Sequence, residues 1–275
     1  MKILVVDRDE LVGNKIKSKL APLGHDVVTE IAKNNAVERI SAERYDVLFF
    51  DPSPLTLART IVLNIRRIAK HYPYIILTSE SASRADAIKS GCNDVLAKPI
   101  DVEALEEKIR NAAHMHSLVR RIGDDSEDFP SAGGVIAKSA FNQLFLSAID
   151  RADRYGERTY VLFITMRNYE SVRDLDGPYA ADYAVAKLSQ YLVRLRRQSD
   201  IIGQTEKYEY ALLLQWANYD SEPVEAANRF AEALSNFKDI VSSGAMEVEI
   251  AVTLVDLPVG SKLVEHVVRH KAPGR

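Results

Sequence analysis

The sequence predicts an α/β domain with a doubly wound parallel sheet, followed by an α+β domain, and three observations predict it. Short runs rich in branched apolar residues at 2–6, 47–50, 75–77 and 94–96 read as buried strands. Segments with helical apolar spacing lie around and between them, at 11–20, 36–42, 60–70 and 82–90. Strands that alternate with helices in this way pair in parallel, and the ligand site of such a sheet lies at the carboxyl ends of its strands. Beyond residue 134 the order changes to helix 141–155, strand 160–166, helix 180–197, the strand pair 199–204 and 208–215, helix 223–237, strand 248–255 and a short terminal helix. That order implies a mostly antiparallel sheet.

At 275 residues the chain is long enough for two domains, each burying its own core. An amphipathic helix over 102–122 leads into the polar stretch GDDSEDFPSAGG, so the expected division is 1–122, a linker at 123–133, and 134–275. His114 and His116 stand two apart on that helix, on different faces, and are expected to be exposed side chains rather than a metal pair. Lys and Arg number 36 against 39 Asp and Glu, a formal charge of -3. No global positive field exists to hold nucleic acid or an anionic membrane, and neither is an expected partner. The single cysteine, Cys92, excludes an internal disulfide and fits a reducing compartment. The opening MKILVVDRDE turns acidic too soon for a signal peptide, and no apolar run approaches the roughly 18 residues of a membrane span. A cytoplasmic location is expected.

The predicted strand ends of the first domain carry Asp7, Asp51, Thr78 and Lys98, which a parallel sheet brings to one edge. Two carboxylates can hold a hard cation, a hydroxyl can meet a transferred phosphoryl group, and a lysine can neutralise its charge. VVD, YDVLFFD, IILTS and GCNDVLAKP, in that order and spacing, resemble the receiver domain of two-component response regulators, a five-stranded flavodoxin-like fold. The resemblance implies that Asp51 is the phosphoacceptor, that Asp7 and Asp51 hold magnesium, that Thr78 is the switch hydroxyl and that Lys98 contacts phosphate. It also implies a histidine kinase or phosphotransfer protein as partner, and pairing into a homodimer through the last receiver helix. Two positions depart from the family. Arg8 stands where a second acid is usual, so that either Asp9 replaces that acid by local rearrangement or the Arg8 guanidinium pairs with Asp51 and stands in for the metal. Pro52-Ser53-Pro54 stiffens the loop after the acceptor.

The fragments GGVIAKSAF, ITMRNYESVRDLDGPYAAD and RQSDIIGQTEKYEYALLL resemble the GGDEF domain of diguanylate cyclases, which form cyclic di-GMP from two GTP molecules with magnesium held by acids. In that register Thr165 replaces the first metal-binding acid, Arg167 the second, Tyr169 a phenylalanine and Arg173 the guanine-contacting asparagine, while Asp174, Gly177 and the base-contacting Asp182 are kept. The signature turn reads Glu206-Lys207-Tyr208-Glu209-Tyr210, with Tyr208 in place of the metal acid. Without its ions phosphoryl transfer loses most of its driving electrostatics, so the expectation is a degenerate domain that is not an enzyme. The terminal HKAPGR resembles a family motif and implies that Lys271 and Arg275 lie near phosphates. Trp216 reads as packing.

Arg197-Gln198-Ser199-Asp200 stands at the spacing of the family's RxxD site ahead of the turn, and Arg229 aligns with a second arginine. The resemblance implies that these residues bind cyclic di-GMP, with the arginine reading a guanine edge and the aspartate accepting from it. Two functions remain open: an effector controlled by phosphorylation and cyclic di-GMP, or an adaptor that acts on an unknown downstream protein through its surfaces alone.

Overall fold

Five parallel strands, β1 (Lys2–Val6), β2 (Asp26–Glu30), β3 (Val47–Phe50), β4 (Tyr74–Ser79) and β5 (Asp94–Ala97), form a sheet in the order β2-β1-β3-β4-β5. In this computed structural model the described residues are 1–69, 71–124, 126–129, 133–214, 219, 221–241 and 244–271. They form two units: 1–120 with 148–157 and 258–261, and 121–147 with 158–257 and 262–271.

In the first unit the helices α1 (Glu10–Leu20), α2 (Lys33–Ala42), α3 (Ala58–Ile68), α4 (Arg84–Lys89) and α5 (Val102–Gly123) follow the strands in alternation. β3 is buried at every position, as a central strand covered on both faces must be, and Leu4, Val6, Leu48, Phe50, Ile75 and Leu77 form its core with Val62 and Ile65 of α3. Sequence reasoning did not place β2. It is an edge strand that pairs only with β1 and is exposed at Asp26 and Thr29, so its apolar signal is short. The chain enters β2 through Gly24, whose φ of 82° is the left-handed turn conformation that glycine adopts without strain. His116 departs from expectation, because it is half-buried with Nε2 2.8 Å from the Asp46 carbonyl, and His114 is half-buried too. Cys92 is a buried filler, its thiol pushed up to about 12 by burial.

The second unit holds the sheet β10-β9-β6-β8-β7, every neighbouring pair antiparallel. Its strands are β6 (Thr159–Met166), β7 (Ile201–Glu206), β8 (Glu209–Leu214), β9 (Val248–Leu257) and β10 (Lys262–His270). The helices are α6 (Lys138–Tyr155), α7 (Tyr169–Asp176), α8 (Pro178–Leu195) and α9 (Glu222–Asn236). Ile164, Tyr210, Leu212 and Val252 from the sheet pack with Leu188 and Leu192 of α8 and Phe230 of α9. The expected terminal helix is instead β10. Its even positions 264, 266, 268 and 270 turn inward while 263, 265, 267 and 269 are exposed, and this period of two, paired along β9, selects a strand. Helix α7 was also unforeseen; it ends at Gly177, whose φ of 92° lets the chain turn directly into α8. Trp216 and Arg275 lie outside the described residues.

Among the described residues no helix is long and apolar enough to cross a membrane.

Candidate functional site

At the carboxyl edge of the parallel sheet the chain leaves β1, β3, β4 and β5 at or near Asp7, Asp51, Thr78 and Lys98, and the fold brings all four together. Lys98 Nζ lies 2.6 Å from Asp7 Oδ2 and 2.7 Å from Asp51 Oδ2, bridging two carboxylates that are almost wholly buried. Thr78 Oγ1 stands 3.5 Å from the same Asp7 oxygen. The other Asp51 oxygen accepts from the Ser53 amide at 2.8 Å and the Ser53 hydroxyl at 2.5 Å. Burial pushes the Asp51 carboxyl up, but the hydrogen bonds from Lys98 and Ser53 outweigh it and hold the group below the ordinary aspartate range. Lys98 moves the other way: burial lowers it, and its bonds to Asp51 and Asp7 raise it further.

The two alternatives raised by Arg8 both resolve differently. Asp9 is the N-cap of α1, accepting from the Leu11 amide at 2.9 Å, and its own amide donates to Asp7 Oδ1 at 3.0 Å. Arg8 donates to the Ser53 carbonyl at 3.1 Å rather than pairing with Asp51, whose cation is Lys98. A residue that sequence reasoning missed, Lys33 at the start of α2, donates to the same Ser53 carbonyl at 2.6 Å and to the Pro52 carbonyl. No sequence spacing links Lys33 to Asp51; the sheet order does.

In the second unit Thr165 at the end of β6 pairs directly with Glu209 at the start of β8. The Glu209 carboxylate accepts from Thr165 Oγ1 at 2.9 Å, from Thr205 Oγ1 at 2.7 Å and from Arg121 in a close ion pair. Arg121 also lies 3.3 Å from Glu206 and 4.9 Å from the centre of the Phe163 ring, and it too was missed, since it sits at the end of α5, far from the turn in sequence. Beside this cluster Tyr169 donates its hydroxyl to Asp182 at 2.5 Å, and its ring stacks on Tyr208 at 4.5 Å between centres. Lys207 Nζ lies 5.0 Å from the Tyr169 ring, and Tyr208 reaches Glu170 at 3.4 Å. Burial and the Asp182 carboxylate push the Tyr169 phenol up to about 12, so it is a proton donor at any ordinary pH. Arg167 pairs with Glu265, Arg173 with Glu170 at 2.8 Å, and Lys271 with Glu247 at 2.9 Å. Tyr210 is buried in the core.

The RxxD segment closes on itself after α8. Asp200 Oδ2 accepts from the Arg197 amide at 2.9 Å, and Arg197 Nη1 meets Glu222 Oε1 at 2.8 Å. These residues and Arg229 line a cavity of about 40 Å³.

Domains of the receiver and GGDEF kinds typically use magnesium. Among the described residues no three His, Cys, Asp or Glu side chains gather to hold a metal. In the first unit the available acids are bridged by Lys98 and the loop carbonyl is held by Arg8 and Lys33; in the second the one buried turn acid, Glu209, is saturated by Arg121 and two hydroxyls. Neither donor set fits a divalent ion.

Among curated relatives, "Transcriptional regulatory protein CrdR" of Helicobacter pylori is 30% identical over 114 residues, covering 40% of this chain and 53% of that protein. "Transcriptional regulatory protein DltR" of Streptococcus agalactiae is 24% identical over 143 residues, covering 48% and 64%. The chain thus spans about half to two thirds of the length of these relatives. "Response regulator MprA" of Mycolicibacterium vanbaalenii is 27% identical, covering 74% and 91%. Among solved structures, a two-component response regulator from Clostridium difficile is 25% identical with a TM-score of 0.36, covering 41% of this chain and 95% of that one. The GGDEF domain of YfiN (TpbB) from Pseudomonas aeruginosa is 19% identical with a TM-score of 0.38, covering 44% and 70%. Residues 3–110 match the family described as the response regulator receiver domain, and residues 131–268 that described as the diguanylate cyclase GGDEF domain. The chain belongs to the GGDEF family and is a response regulator with a receiver domain ahead of its GGDEF domain.

Proposed function

We propose that this response regulator is a signalling effector and not a cyclase: Asp51 takes a phosphoryl group from a histidine kinase or phosphotransfer protein, and the RxxD segment reads cyclic di-GMP. The observation that carries the reading is the saturation of Glu209 by Thr165, Thr205 and Arg121. A guanidinium and two hydroxyls fill the place where a cyclase needs acids around metal ions, and without charge neutralisation phosphoryl transfer between nucleotides has no other source of comparable rate. The Tyr169 hydroxyl on Asp182 supports the same reading, because it occupies the carboxylate that would meet guanine.

The test is calorimetric titration of cyclic di-GMP into the wild type and Arg197→Ala, with GTP and magnesium incubated separately and the nucleotides separated by chromatography. Binding that the substitution abolishes, with no dinucleotide formed from GTP, is the expected result. Dinucleotide formed above the protein-free control would make the domain a cyclase.

A second reading, an adaptor that works through protein contacts alone, is favoured by the ion pair between Arg197 and Glu222 at 2.8 Å, which already occupies the guanidinium that would read the dinucleotide. Silence of both proteins in the titration would select it. On either reading the active form is a homodimer, and light scattering that finds monomer with and without a phosphate mimic would remove that element.

A further inference from the structure

The loop after Asp51 carries the feature that the proposed function leaves unused. Two cations from separate elements, Arg8 after β1 and Lys33 of α2, converge on one backbone oxygen, the Ser53 carbonyl, at 3.1 and 2.6 Å. Lys33 also holds the Pro52 carbonyl. Lys98 bridges Asp7 and Asp51 a few ångströms away. Of the other acids nearby, Asp9 caps α1 and Glu30 accepts from the Ala32 amide and pairs with Arg39 at 2.9 Å, while Glu10 lines a cavity with Asp7. Asp7 and Asp51 are therefore paired with Lys98 and have Lys33 and Arg8 on the adjoining loop carbonyl, where an acidic magnesium pocket would present surplus negative charge.

From this arrangement we infer that the Asp51 pocket is a metal-independent phosphoryl site, in which Arg8, Lys33 and Lys98 supply the positive charge that a divalent ion supplies in an acidic pocket. The inference rests on the reading of Asp51 as phosphoacceptor. Its physical basis is that a transferring phosphoryl group needs its oxygens neutralised, and guanidinium and ammonium groups within reach supply that charge through charge-assisted hydrogen bonds. The Asp51 oxygen attacks phosphorus, the acyl phosphate bond forms as the bond to the leaving group breaks, and with acetyl phosphate the acetate departs with the electron pair. Of the three cations, Arg8 is the most exposed and Lys33 half-buried, so both can leave the Ser53 carbonyl for the incoming phosphate oxygens, while Lys98 stays between the carboxylates.

The experiment incubates the full chain with acetyl phosphate in excess magnesium or in excess EDTA and follows phosphoryl uptake by intact mass, with Asp51→Asn as control. The wild type is expected to label at the same rate in both, and Arg8→Ala with Lys33→Ala to label roughly a hundredfold more slowly in both, as when charge-stabilising donors are removed. Arg8→Asp is expected to label slowly in EDTA and to recover with magnesium. Wild-type labelling that requires magnesium overturns the inference and leaves the phosphoacceptor reading intact. Absence of labelling in both media, or labelling that persists in Asp51→Asn, removes that reading and the inference with it. Heat released on titrating magnesium alone into the wild type, and lost in Asp51→Asn, also overturns the inference.

Discussion

On the proposed reading, the two pockets of this chain dispense with magnesium by different routes. On that reading the receiver pocket has Arg8 in place of one acid and keeps two others: Asp7 and Asp51 remain, Lys98 bridges them, and Arg8 and Lys33 take the loop carbonyls. The GGDEF pocket, on the same reading, has lost its metal acids and is filled from within: Thr165 and Tyr208 stand where the family register has carboxylates, Arg121 pairs with Glu209, and Tyr169 donates to Asp182. The first leaves the buried Asp51 carboxylate beside positive charge, which is what the proposed phosphoryl transfer needs. The second ties Glu209, Thr165 and Tyr169 to partners inside the protein, as buried polar groups generally are. If both readings hold, the loss of a metal ligand has different consequences in the two pockets, depending on what fills the space.

If the GGDEF pocket is plugged for stability, removing the plug has the largest effect. Arg121→Ala leaves the Glu209 carboxylate, itself buried, with two hydroxyls and no cation. Breaking a buried pair from one side costs several kcal/mol, and with Arg121 partly exposed a loss of about 2 kcal/mol is expected. Urea unfolding measures it. Adding Glu209→Gln to Arg121→Ala is expected to recover part of the loss, since no bare charge is then left. Equal stability of Arg121→Ala and wild type would mean that the guanidinium neutralises nothing, and the contrast between the pockets would fail.

The receiver pocket is expected to show its charge balance in the pH dependence of stability. The folded Asp51 pKa lies below its ordinary value of 3.8, because the bonds from Lys98 and Ser53 outweigh burial. Its stabilisation is therefore complete above 3.8 and is lost as the pH falls through the lower folded value. Lys98 is the mirror case: its folded value lies above 10.5, so its contribution is complete below 10.5 and is lost as the pH rises through the folded value. Asp51→Asn removes the acid contribution, so the gap in denaturant midpoint between it and the wild type should be constant near neutrality and close in strong acid. A gap that does not change with pH would show that Asp51 is not charged against Lys98.

Much of this was legible in the sequence where chemistry follows strand ends. Asp7, Asp51, Thr78 and Lys98 could be placed together because a parallel sheet sends every strand end to one edge, and the alternation of elements announced that sheet. The GGDEF register pointed to Thr165 and to the turn at 206–210 as one pocket, but the partner of Thr165 across the sheet, Glu209, is known only from the pairing of β6 with β8. Arg121, Lys33 and Glu222 were not legible, because each reaches its partner from a different element: Glu209 lies 88 residues from Arg121, Ser53 lies 20 from Lys33, and Glu222 lies 25 from Arg197. Edge strands were the other gap. β2 and β10 each pair on one side, so half of their residues read as polar surface, and the sequence of β10 suggests a helix although its inward positions alternate.

The smallest effect is expected at the RxxD segment, where the two modes of filling meet. Arg197, the group that would read an anionic dinucleotide, is held by Glu222 at 2.8 Å, and their side chains are 55% and 28% exposed. An ion pair so open to water contributes on the order of 1 kcal/mol or less. It can oppose a ligand but not exclude it, since the guanidinium needs only to exchange one carboxylate for a phosphate or a guanine edge. Glu222→Gln keeps the shape and removes both the competing pair and the repulsion of phosphate, so cyclic di-GMP should bind about fivefold more tightly than to the wild type. Calorimetry at two salt concentrations checks the cause: the gain should shrink at high salt, where the competing pair and the repulsion are both screened. Weaker binding to Glu222→Gln would make Glu222 a ligand contact, and the pocket would then be open in the sense of the receiver rather than plugged in the sense of Glu209.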